Sequence, residues 1–253
     1  MRATILAGGK GTRLAPYTNV YPKPLMPVDG MPILEIVIRQ LNYYGYEDVT
    51  LCVAHLAHLI HTYFGDGSQF GVNLNYSYEY QPLGTAGPLG LVEWPREPML
   101  VMNADVLCSI NFAEMYHYHQ EQDALITLGL YPKRIKIDLG VLQTEGNTII
   151  EYIEKPEVQH WVSMGIYIVS PEVRNLIQPD CKFDFPDLVA AALAAGKHVI
   201  GYRFDGHWLD IGRPSDYEHA CDQFERNRSS FLPEGQELEL GALPLSYGIA
   251  VRR

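Results

Sequence analysis

Short apolar runs alternate with longer segments in which apolar residues recur every three or four positions through the first half of the chain. Runs of this length are typical of buried strands, and the longer periodic segments are typical of helices that pack on a sheet. The alternation predicts an α/β fold with a Rossmann-like, mixed but mainly parallel sheet that helices flank. Strands are predicted at residues 3–7, 49–53, 74–78 and 99–102, and helices at residues 33–44, 56–64 and 86–92.

The second half of the chain carries several β-like runs in close succession, at residues 124–130, 139–143, 148–153 and 162–169. They predict a β-rich subdomain that covers one side of a pocket. Beyond residue 227 the composition changes to serine, proline, glycine and leucine. We therefore predict one domain at residues 1–227 and a C-terminal tail at residues 228–253. Further helices are predicted at residues 171–177, 184–195 and 214–226.

The composition excludes several classes of protein. A net charge of −11 over 253 residues argues against a nucleic-acid-binding protein, which would carry a basic face. The four cysteines form no C-x-x-C pair, so the sequence indicates neither a zinc site nor a disulfide framework. The N-terminus has no signal-peptide pattern, and no apolar run reaches the ~20 residues that span a bilayer. The chain is therefore predicted to be soluble and cytoplasmic, with no membrane partner.

A glycine-rich run directly after the first predicted strand carries the clearest chemical signal. Glycines let backbone N–H groups approach an anion without a side chain in the way, and fixed cations neutralise phosphoryl charge. The run is not a dinucleotide fingerprint, because Leu14 stands three residues after Gly11. It is not a P-loop, because Lys10 is followed by glycine and not by serine or threonine. The run predicts a phosphate cradle made by Gly8, Gly9, Gly11 and Arg13, with Lys23 aimed by the prolines on either side of it.

This run resembles the start of the sugar-1-phosphate nucleotidylyltransferases, whose pattern is Gly-Gly-x-Gly-x-Arg-Leu with a downstream Pro-Lys-Pro-Leu. Members of that family have a GT-A-like nucleotidyltransferase fold and join a nucleoside triphosphate to a sugar 1-phosphate, with release of pyrophosphate. The resemblance implies these two small molecules as partners and a sugar-binding role for the β-rich subdomain. The matching residues are Gly8, Gly9, Gly11, Arg13, Leu14, Pro22, Lys23, Pro24 and Leu25.

Two acidic residues resemble the metal ligands of the same family. Asp105 follows a predicted strand, at the end where such sheets bind ligands, and Asp210 lies in a Trp-x-Asp-x-Gly pattern. Mg²⁺ is held by one or two carboxylates together with substrate phosphates. An aspartate in the turn after a strand is also common without any metal. The resemblance therefore implies Mg²⁺ as cofactor with Asp105 and Asp210 as ligands, provided that the fold brings these distant positions together.

The resemblance also assigns residues to the two substrates. It implies base recognition by residues 81–87, where an amide side chain offers a donor and an acceptor together. Without the resemblance, this segment also fits a helix-capping turn with Thr85 as the cap. The implied nucleotide-binding residues are Leu6, Gly8, Gly9, Gly11, Thr12, Arg13, Gln81, Gly84 and Thr85, and the implied sugar-phosphate-binding residues are Asn103, Gly140, Glu154, Lys155, Ser163 and Gly165.

Two of these positions depart from the common family pattern. Ser163 stands where many members have asparagine, and a hydroxyl reaches less far and donates fewer hydrogen bonds than an amide. Asn103-Ala104-Asp105 lacks the glycine that commonly precedes the metal-binding aspartate. These departures leave the identity of the sugar open.

The mechanism that the resemblance implies is in-line attack of a sugar-phosphate oxygen on the α-phosphorus of the nucleotide. The nucleophile is already an anion, so catalysis comes from positioning and charge neutralisation and not from a general base. The expected catalytic residues are Arg13 at the β- and γ-phosphates, Lys23 at the α-phosphate and Asp105 at the metal. Lys155 is expected to contact the sugar phosphate.

Residues 84–89 most resemble guanylyltransferases that act on mannose 1-phosphate. This favours GTP with mannose 1-phosphate or a related manno-configured sugar such as heptose. Thymidylyl, uridylyl or cytidylyl transfer to glucose 1-phosphate or another sugar phosphate stays open, and so does a non-catalytic homologue that binds a nucleotide sugar and regulates a partner. Long guanylyltransferases carry a C-terminal left-handed β-helix, for which 253 residues leave no room. A homodimer, if one forms, is expected to use the core or the tail.

Overall fold

A central seven-stranded sheet organises residues 1–232, which are the part of the chain that the structure, a computed structural model, describes. The strands are β1 (Arg2–Ala7), β2 (Pro27–Val28), β3 (Met31–Pro32), β4 (Asp48–Val53), β5 (Asn73–Tyr78), β6 (Met99–Asn103), β7 (Val106–Cys108), β8 (Ile126–Lys136), β9 (Val141–Glu145), β10 (Thr148–Ile153), β11 (Glu157–Val169), β12 (Val199–Arg203) and β13 (Trp208–Asp210). The α-helices are α1 (Ile33–Tyr43), α2 (Ala57–Phe64), α3 (Phe112–Glu121), α4 (Phe185–Ala194), α5 (Pro214–Arg226) and α6 (Arg228–Phe231).

The central sheet has the strand order β12-β8-β11-β6-β1-β4-β5. All of its strands share one direction except β11, which is antiparallel to both of its neighbours. The mixed, mainly parallel α/β fold that the sequence predicts is confirmed. Because β1 and β6 are parallel neighbours, the loops that follow them leave from the same edge of the sheet. That carboxyl edge is where sheets of this kind bind ligands.

The central strands are buried on both faces, as parallel strands under helices are. On β1, Ile5 is fully buried on one face and Thr4 is 2% exposed on the other. The first face belongs to a core that includes Leu34 of α1. A second core joins Leu188 of α4 to Val101 of β6. Helices therefore cover both faces of the sheet and hold its carboxyl edge in a fixed position.

One buried histidine ties α3 to the sheet. His119 is 1% exposed, and its ring nitrogens lie within hydrogen-bond distance of the Thr127 and Ser170 hydroxyls, at 2.8 and 2.9 Å. Burial lowers the pKa of His119 to about 4, with Asp123 acting weakly in the opposite direction. The imidazole is therefore neutral at physiological pH and serves the fold rather than the chemistry.

Two of the predicted helices do not form as α-helices. Residues 86–92 contain only the short 3-10 turn Gly87–Gly90, because its glycines and Pro88 disfavour an α-helical hydrogen-bond ladder. Residues 171–177 form the 3-10 helix Pro171–Leu176. The chain also forms α3, β7, β12 and β13, which the apolar pattern did not predict. None of these differences changes the fold class.

An arm extends from the central sheet at residues 131–163, where β8 and β11 continue past it and β9 pairs with β10. Most side chains of the arm are exposed. The register between β8 and β11 breaks between Ser163 and Tyr167, where the arm meets the sheet. We refer to this point as the break. The arm contains the predicted strands at residues 139–143 and 148–153, whereas those at residues 124–130 and 162–169 lie wholly or mainly in the central sheet.

The first residues after position 227 pack into the core. Phe231 is fully buried and Leu232 is 2% exposed. The Gln40 amide of α1 donates to the carbonyl oxygens of Cys108 and Phe231, at 2.7 and 2.6 Å. The rest of the predicted tail, residues 233–253, lies outside the described residues. Within residues 1–232, no helix is long and apolar enough to cross a membrane.

Candidate active site

The glycine run forms a tight turn at the carboxyl end of β1. Gly11 has a φ of 62°, in the left-handed region that favours glycine. Its carbonyl oxygen accepts hydrogen bonds from the Thr18 hydroxyl at 2.8 Å and from the Leu14 N–H at 2.9 Å. Leu14 is 1% exposed and anchors the turn in the core, while Arg13 beside it lines a cavity. The turn is thus anchored in the core on one side and faces the cavity on the other.

Lys23 is held by its own segment and by an acidic partner. A 3-10 helix, Lys23–Leu25, buries the lysine so that 8% of its side chain is exposed. The ammonium group forms an ion pair with the carboxylate of Asp105, which directly follows β6. The Ala104 N–H donates to the Leu6 carbonyl oxygen at 3.1 Å and holds the ends of β6 and β1 together. A cation and an acid that are distant in sequence therefore meet at one edge of the sheet.

The fold brings Asp210 next to Asp105 through a second strand pair. β13 pairs with β7, so that Asp210 lies opposite Val106, and the Ile211 N–H donates to the Asp105 carbonyl oxygen at 3.2 Å. Partial burial raises the pKa of Asp210, and the charge of Asp105 raises it further. The nearby cations Lys23 and Arg13 lower it. Asp210 is only partly covered and keeps surface open to solvent, so a ligand can reach its carboxylate.

A cavity of about 240 Å³ lies between the glycine turn, Lys23 and Asp105, and Gly212 brings the loop that follows Asp210 to its wall. Its walls come from the glycine turn, from the Lys23 segment and from the loops that carry the two acids. The cavity is lined by Leu6, Ala7, Gly9, Gly11, Thr12, Arg13, Lys23, Pro24, Ala104, Asp105 and Gly212.

The donor set fits a hard divalent cation. Asp105 and Asp210 are adjacent carboxylates whose charges oppose each other, which favours a cation between them. In residues 1–232 no group of three or more His, Cys, Asp or Glu side chains comes together to hold a metal. Mg²⁺ needs no such group, because one or two carboxylates suffice when phosphates and water complete its shell.

Residues 81–87, which we name the strap, are held by the loop before α4. The Phe183 N–H donates to the Leu83 carbonyl oxygen at 2.9 Å. The Gln81 amide donates to the Asp180 carbonyl oxygen at 3.2 Å, so this exposed side chain is already bonded to the backbone. The strap is therefore bonded to the loop before α4 and is not a free loop.

Thr85 is the main point of attachment of the strap. Its N–H donates to the Asp184 carboxylate at 2.9 Å, and its hydroxyl oxygen accepts the Phe185 N–H at 2.8 Å. Thr85 thus caps the start of α4 from 100 residues away, whereas the 3-10 turn at the end of the strap begins at Gly87 and has no side-chain cap. The capping alternative holds for a different helix from the one that the sequence suggested.

Two of the implied sugar-phosphate residues, Ser163 and Gly165, lie at the break, and a third, Asn103, ends β6 beside it. A Cβ on Gly165 would lie 2.6 Å from Nδ2 of Asn103, so the two residues are in close contact. The Ser163 hydroxyl donates to the Tyr167 hydroxyl at 3.2 Å. The Trp208 indole N–H donates to the Met164 carbonyl oxygen at 3.1 Å and ties the break to the strand of Asp210. The break therefore adjoins both acidic strand ends.

The other implied residues of this group lie on the arm. The Tyr152 hydroxyl donates to the Glu154 carboxylate at 2.9 Å and packs against Gly140. Lys155 follows with a φ of 48°, an unusual backbone conformation for a residue with a side chain. All three implied residues are exposed, and none of them lines the cavity.

Glu79 is a polar residue at this edge that the sequence analysis did not single out. It directly follows β5, and a Cβ on Gly8 would overlap its carboxylate. The carboxylate accepts the Leu83 N–H at 3.4 Å, and burial raises its pKa. No ion pair among residues 1–232 involves it. Its position directly after a predicted strand, two residues before the strap, is a signal that could have found it.

The glycine turn, the buried lysine and the neighbouring carboxylates lie within a segment that matches a known family. The family model for nucleotidyl transferases matches residues 2–227. The chain belongs to the nucleotidyl transferase family. This nucleotidyl transferase is 32% identical over 241 residues to the UTP–glucose-1-phosphate uridylyltransferase of Synechocystis sp.. The alignment covers 87% of the chain and 62% of that relative. The chain is 34% identical over 247 residues to the mannose-1-phosphate guanyltransferase of Yarrowia lipolytica, in an alignment that covers 92% of the chain and 67% of that relative.

The fold of this nucleotidyl transferase also matches solved structures. A candidate glucose-1-phosphate thymidylyltransferase from Bacillus anthracis superposes with a TM-score of 0.72 at 25% identity, over 88% of this chain and 94% of that one. The named relatives differ in both base and sugar. The chain spans about two thirds of the length of the curated relatives, so family and fold are established and the substrates are not.

Proposed function

We propose that the chain is a sugar-1-phosphate nucleotidyltransferase that forms a nucleotide sugar and pyrophosphate. The observation that carries this proposal is the convergence of Arg13, Lys23 and Asp105 on one cavity beside a glycine turn, with Asp210 close to these three charges. Such a set provides backbone donors, two cations and a cation-binding acid pair around a phosphate-sized space. Membership of the nucleotidyl transferase family supports it.

In the proposed reaction, an oxygen of the sugar phosphate forms a bond to the α-phosphorus. The bond from that phosphorus to the oxygen bridging the β-phosphate breaks, and pyrophosphate leaves with the electron pair. The attacking oxygen is an anion at neutral pH, so no side chain needs to remove a proton. Arg13 binds the β- and γ-phosphates, Lys23 neutralises charge around the α-phosphate, and Lys155 binds the sugar phosphate. Positioning by these fixed cations is the main source of the rate.

Mg²⁺ is the proposed cofactor, with Asp105 and Asp210 as its protein ligands. When bound there, the ion would neutralise phosphate charge and align the triphosphate. Lys23 lies beside the same acid pair and keeps one of its charges balanced. The arrangement supports a site whose cations act together on one phosphate chain.

GTP is the proposed nucleotide. Guanine presents two neighbouring donors, N1–H and the 2-amino group, and a carboxylate with two oxygens accepts both. Glu79 offers such a carboxylate between Gly8 and the strap, without an ion-pair partner among residues 1–232. The guanyltransferase relative from Yarrowia lipolytica supports mannose 1-phosphate, or a related manno-configured sugar such as heptose 1-phosphate, as the acceptor.

A second candidate is transfer from UTP, dTTP or CTP to glucose 1-phosphate or another sugar phosphate. The uridylyltransferase relative from Synechocystis sp. favours the first of these pairs at nearly the same identity. The homodimer and the cytoplasmic location stay predictions.

Pyrophosphate release tests the proposal directly. The common nucleoside triphosphates are each mixed with mannose, heptose or glucose 1-phosphate and Mg²⁺, and pyrophosphate is measured. We expect release with GTP and a manno-configured acceptor. Release with another nucleotide and none with GTP would overturn the base assignment. Tight binding of a nucleotide sugar with no release from any pair would instead identify a non-catalytic homologue.

A further inference from the structure

We infer that Tyr167 is a positioning residue that fixes the nucleotide half and the sugar half of the site at once. The inference rests on the proposed function for its meaning, because it concerns how two substrates are held in one site. It assigns no substrate contact to Tyr167 itself. Two different parts of the side chain do the work, the hydroxyl group on one side and the ring face on the other.

The hydroxyl group holds the break. Ser163 donates its hydroxyl to the Tyr167 hydroxyl at 3.2 Å and accepts the Gly165 N–H at 3.4 Å. Gly165 in turn contacts Asn103 at the end of β6. A serine side chain is short, so its position depends on the group to which it is bonded. The Tyr167 hydroxyl therefore sets the position of the segment that is proposed to receive the sugar phosphate.

The ring holds the strap. The aromatic rings of Tyr167 and Phe185 are stacked, with centroids 3.7 Å apart and planes within 8°. Both residues are buried, at 8% and 2% exposure. Phe185 is the first residue of α4, and its N–H donates to the Thr85 hydroxyl oxygen. The position of this ring therefore sets where the strap is anchored.

A buried side chain in close packing cannot shift one end without moving the other. The two halves of the site thus share one support, the side chain of Tyr167. Its hydrogen bond to Ser163 and its stack on Phe185 can be removed separately by substitution.

Three substitutions separate the two interactions of Tyr167. Tyr167→Phe keeps the ring stack and removes the hydroxyl, Phe185→Leu keeps the hydroxyl and removes the stack, and Tyr167→Leu removes both. Tyr46→Phe is the matched control, because Tyr46 is a fully buried tyrosine whose hydroxyl donates to the Phe112 carbonyl oxygen at 3.2 Å. Steady-state kinetics use the pair of substrates that the pyrophosphate screen identifies, and thermal unfolding checks that each variant is folded.

We expect Tyr167→Phe to raise KM for the sugar phosphate about threefold to tenfold, the effect of losing one neutral hydrogen bond, and to leave KM for the nucleotide unchanged. Phe185→Leu should raise KM for the nucleotide by a similar factor and spare the sugar phosphate. Tyr167→Leu should raise both, and the control should raise neither. Equal changes in both constants with Tyr167→Phe, or no change in either, would overturn the inference.

Amide hydrogen exchange tests the same division without turnover. Tyr167→Phe should speed exchange at the Gly165 N–H, Phe185→Leu should speed it at the Thr85 N–H, and Tyr167→Leu should speed both. If the wild-type protein turns over no pair, the proposed function fails while this measurement still decides the inference. Exchange at both amides that matches the wild type in all three variants would refute the shared support.

Discussion

Replacement of Glu79 by glutamine gives the sharpest test of base selection. The two side chains have the same shape, so the contact with Gly8 is kept and only the charge and one acceptor change. A carboxylate accepts both the N1–H and the 2-amino donors of guanine. The glutamine amide keeps one acceptor and places an NH₂ donor against the other guanine donor. The same amide matches the N3–H donor and O4 acceptor of uracil and thymine.

The expected size follows from the bond that is lost. A hydrogen bond to a charged group contributes about 1.5–3 kcal/mol, so kcat/KM for GTP should fall about 10-fold to 100-fold in Glu79→Gln. Activity with UTP or dTTP should be unchanged or higher. In the wild type, ITP lacks the 2-amino group and should be used about 10-fold less well than GTP. In Glu79→Gln this preference should be lost.

The assay is pyrophosphate release with GTP, ITP, UTP and dTTP at a fixed acceptor concentration. Its pH profile gives a second readout. Burial raises the pKa of Glu79, so the carboxylate that guanine needs is lost as pH falls through this raised value, at a higher pH than for an ordinary glutamate. The variant should lack this acid limb. The matched control is Glu35→Gln, which changes a buried glutamate that is bonded to Arg39 and Tyr63 and should leave the GTP to ITP ratio unchanged. A wild-type ratio in Glu79→Gln would refute the reasoning.

Three further predictions concern the cavity and the fold. Lys23→Ala should lower kcat about 100-fold or more, because a donor that stabilises developing charge is lost. Lys10 is exposed in the glycine turn, and Lys10→Ala should have little effect. Equal rates of pyrophosphate release for the two variants would contradict the role of the ion pair. Gly8→Ala should displace the carboxylate that it contacts and weaken the preference for GTP over ITP, whereas a Cβ on Gly9 meets nothing within 4 Å and should leave that preference intact. His119 has a folded pKa lowered from 6.5 to about 4, so its contribution to stability is complete above pH 6.5 and lost as pH falls toward 4, by up to about 3 kcal/mol. Thermal unfolding between pH 7.5 and 4.5 should show this loss of stability in the wild type and a smaller loss in His119→Gln. Equal losses of stability with pH in the two proteins would contradict the role of His119.

The fold class and the phosphate cradle could be predicted because both depend on local pattern. A short apolar run followed by glycines and Arg13 predicts a strand and an anion-binding turn without reference to the rest of the chain. The meeting of Asp105 and Asp210 could not be predicted, since it depends on a three-residue pairing between β7 and β13 that no periodicity reveals.

Long-range bonds limited the prediction of the strap. Thr85 has the residue type of a cap, but the helix that it caps begins 100 residues later, at Phe185. Glu79 has no motif of its own and gains its meaning only from its contact with Gly8. The helix α3 was missed because its polar sequence has a weak apolar stripe, although Asn111 caps it through the N–H groups of Ala113 and Glu114.

The reversed direction of β11 has a consequence for how such a protein can change. Because β11 runs against its neighbours, its N-terminal half overhangs the carboxyl edge and belongs to the solvent-exposed arm, while its C-terminal half is buried in the sheet. Substitutions and insertions in the overhang leave the hydrophobic core untouched. The part of the acceptor side that lies on the arm can therefore change between relatives at little cost in folding stability, whereas the break stays tied to the sheet through Tyr167. The nucleotide side has no such freedom, because its turn and strap are bonded into the core.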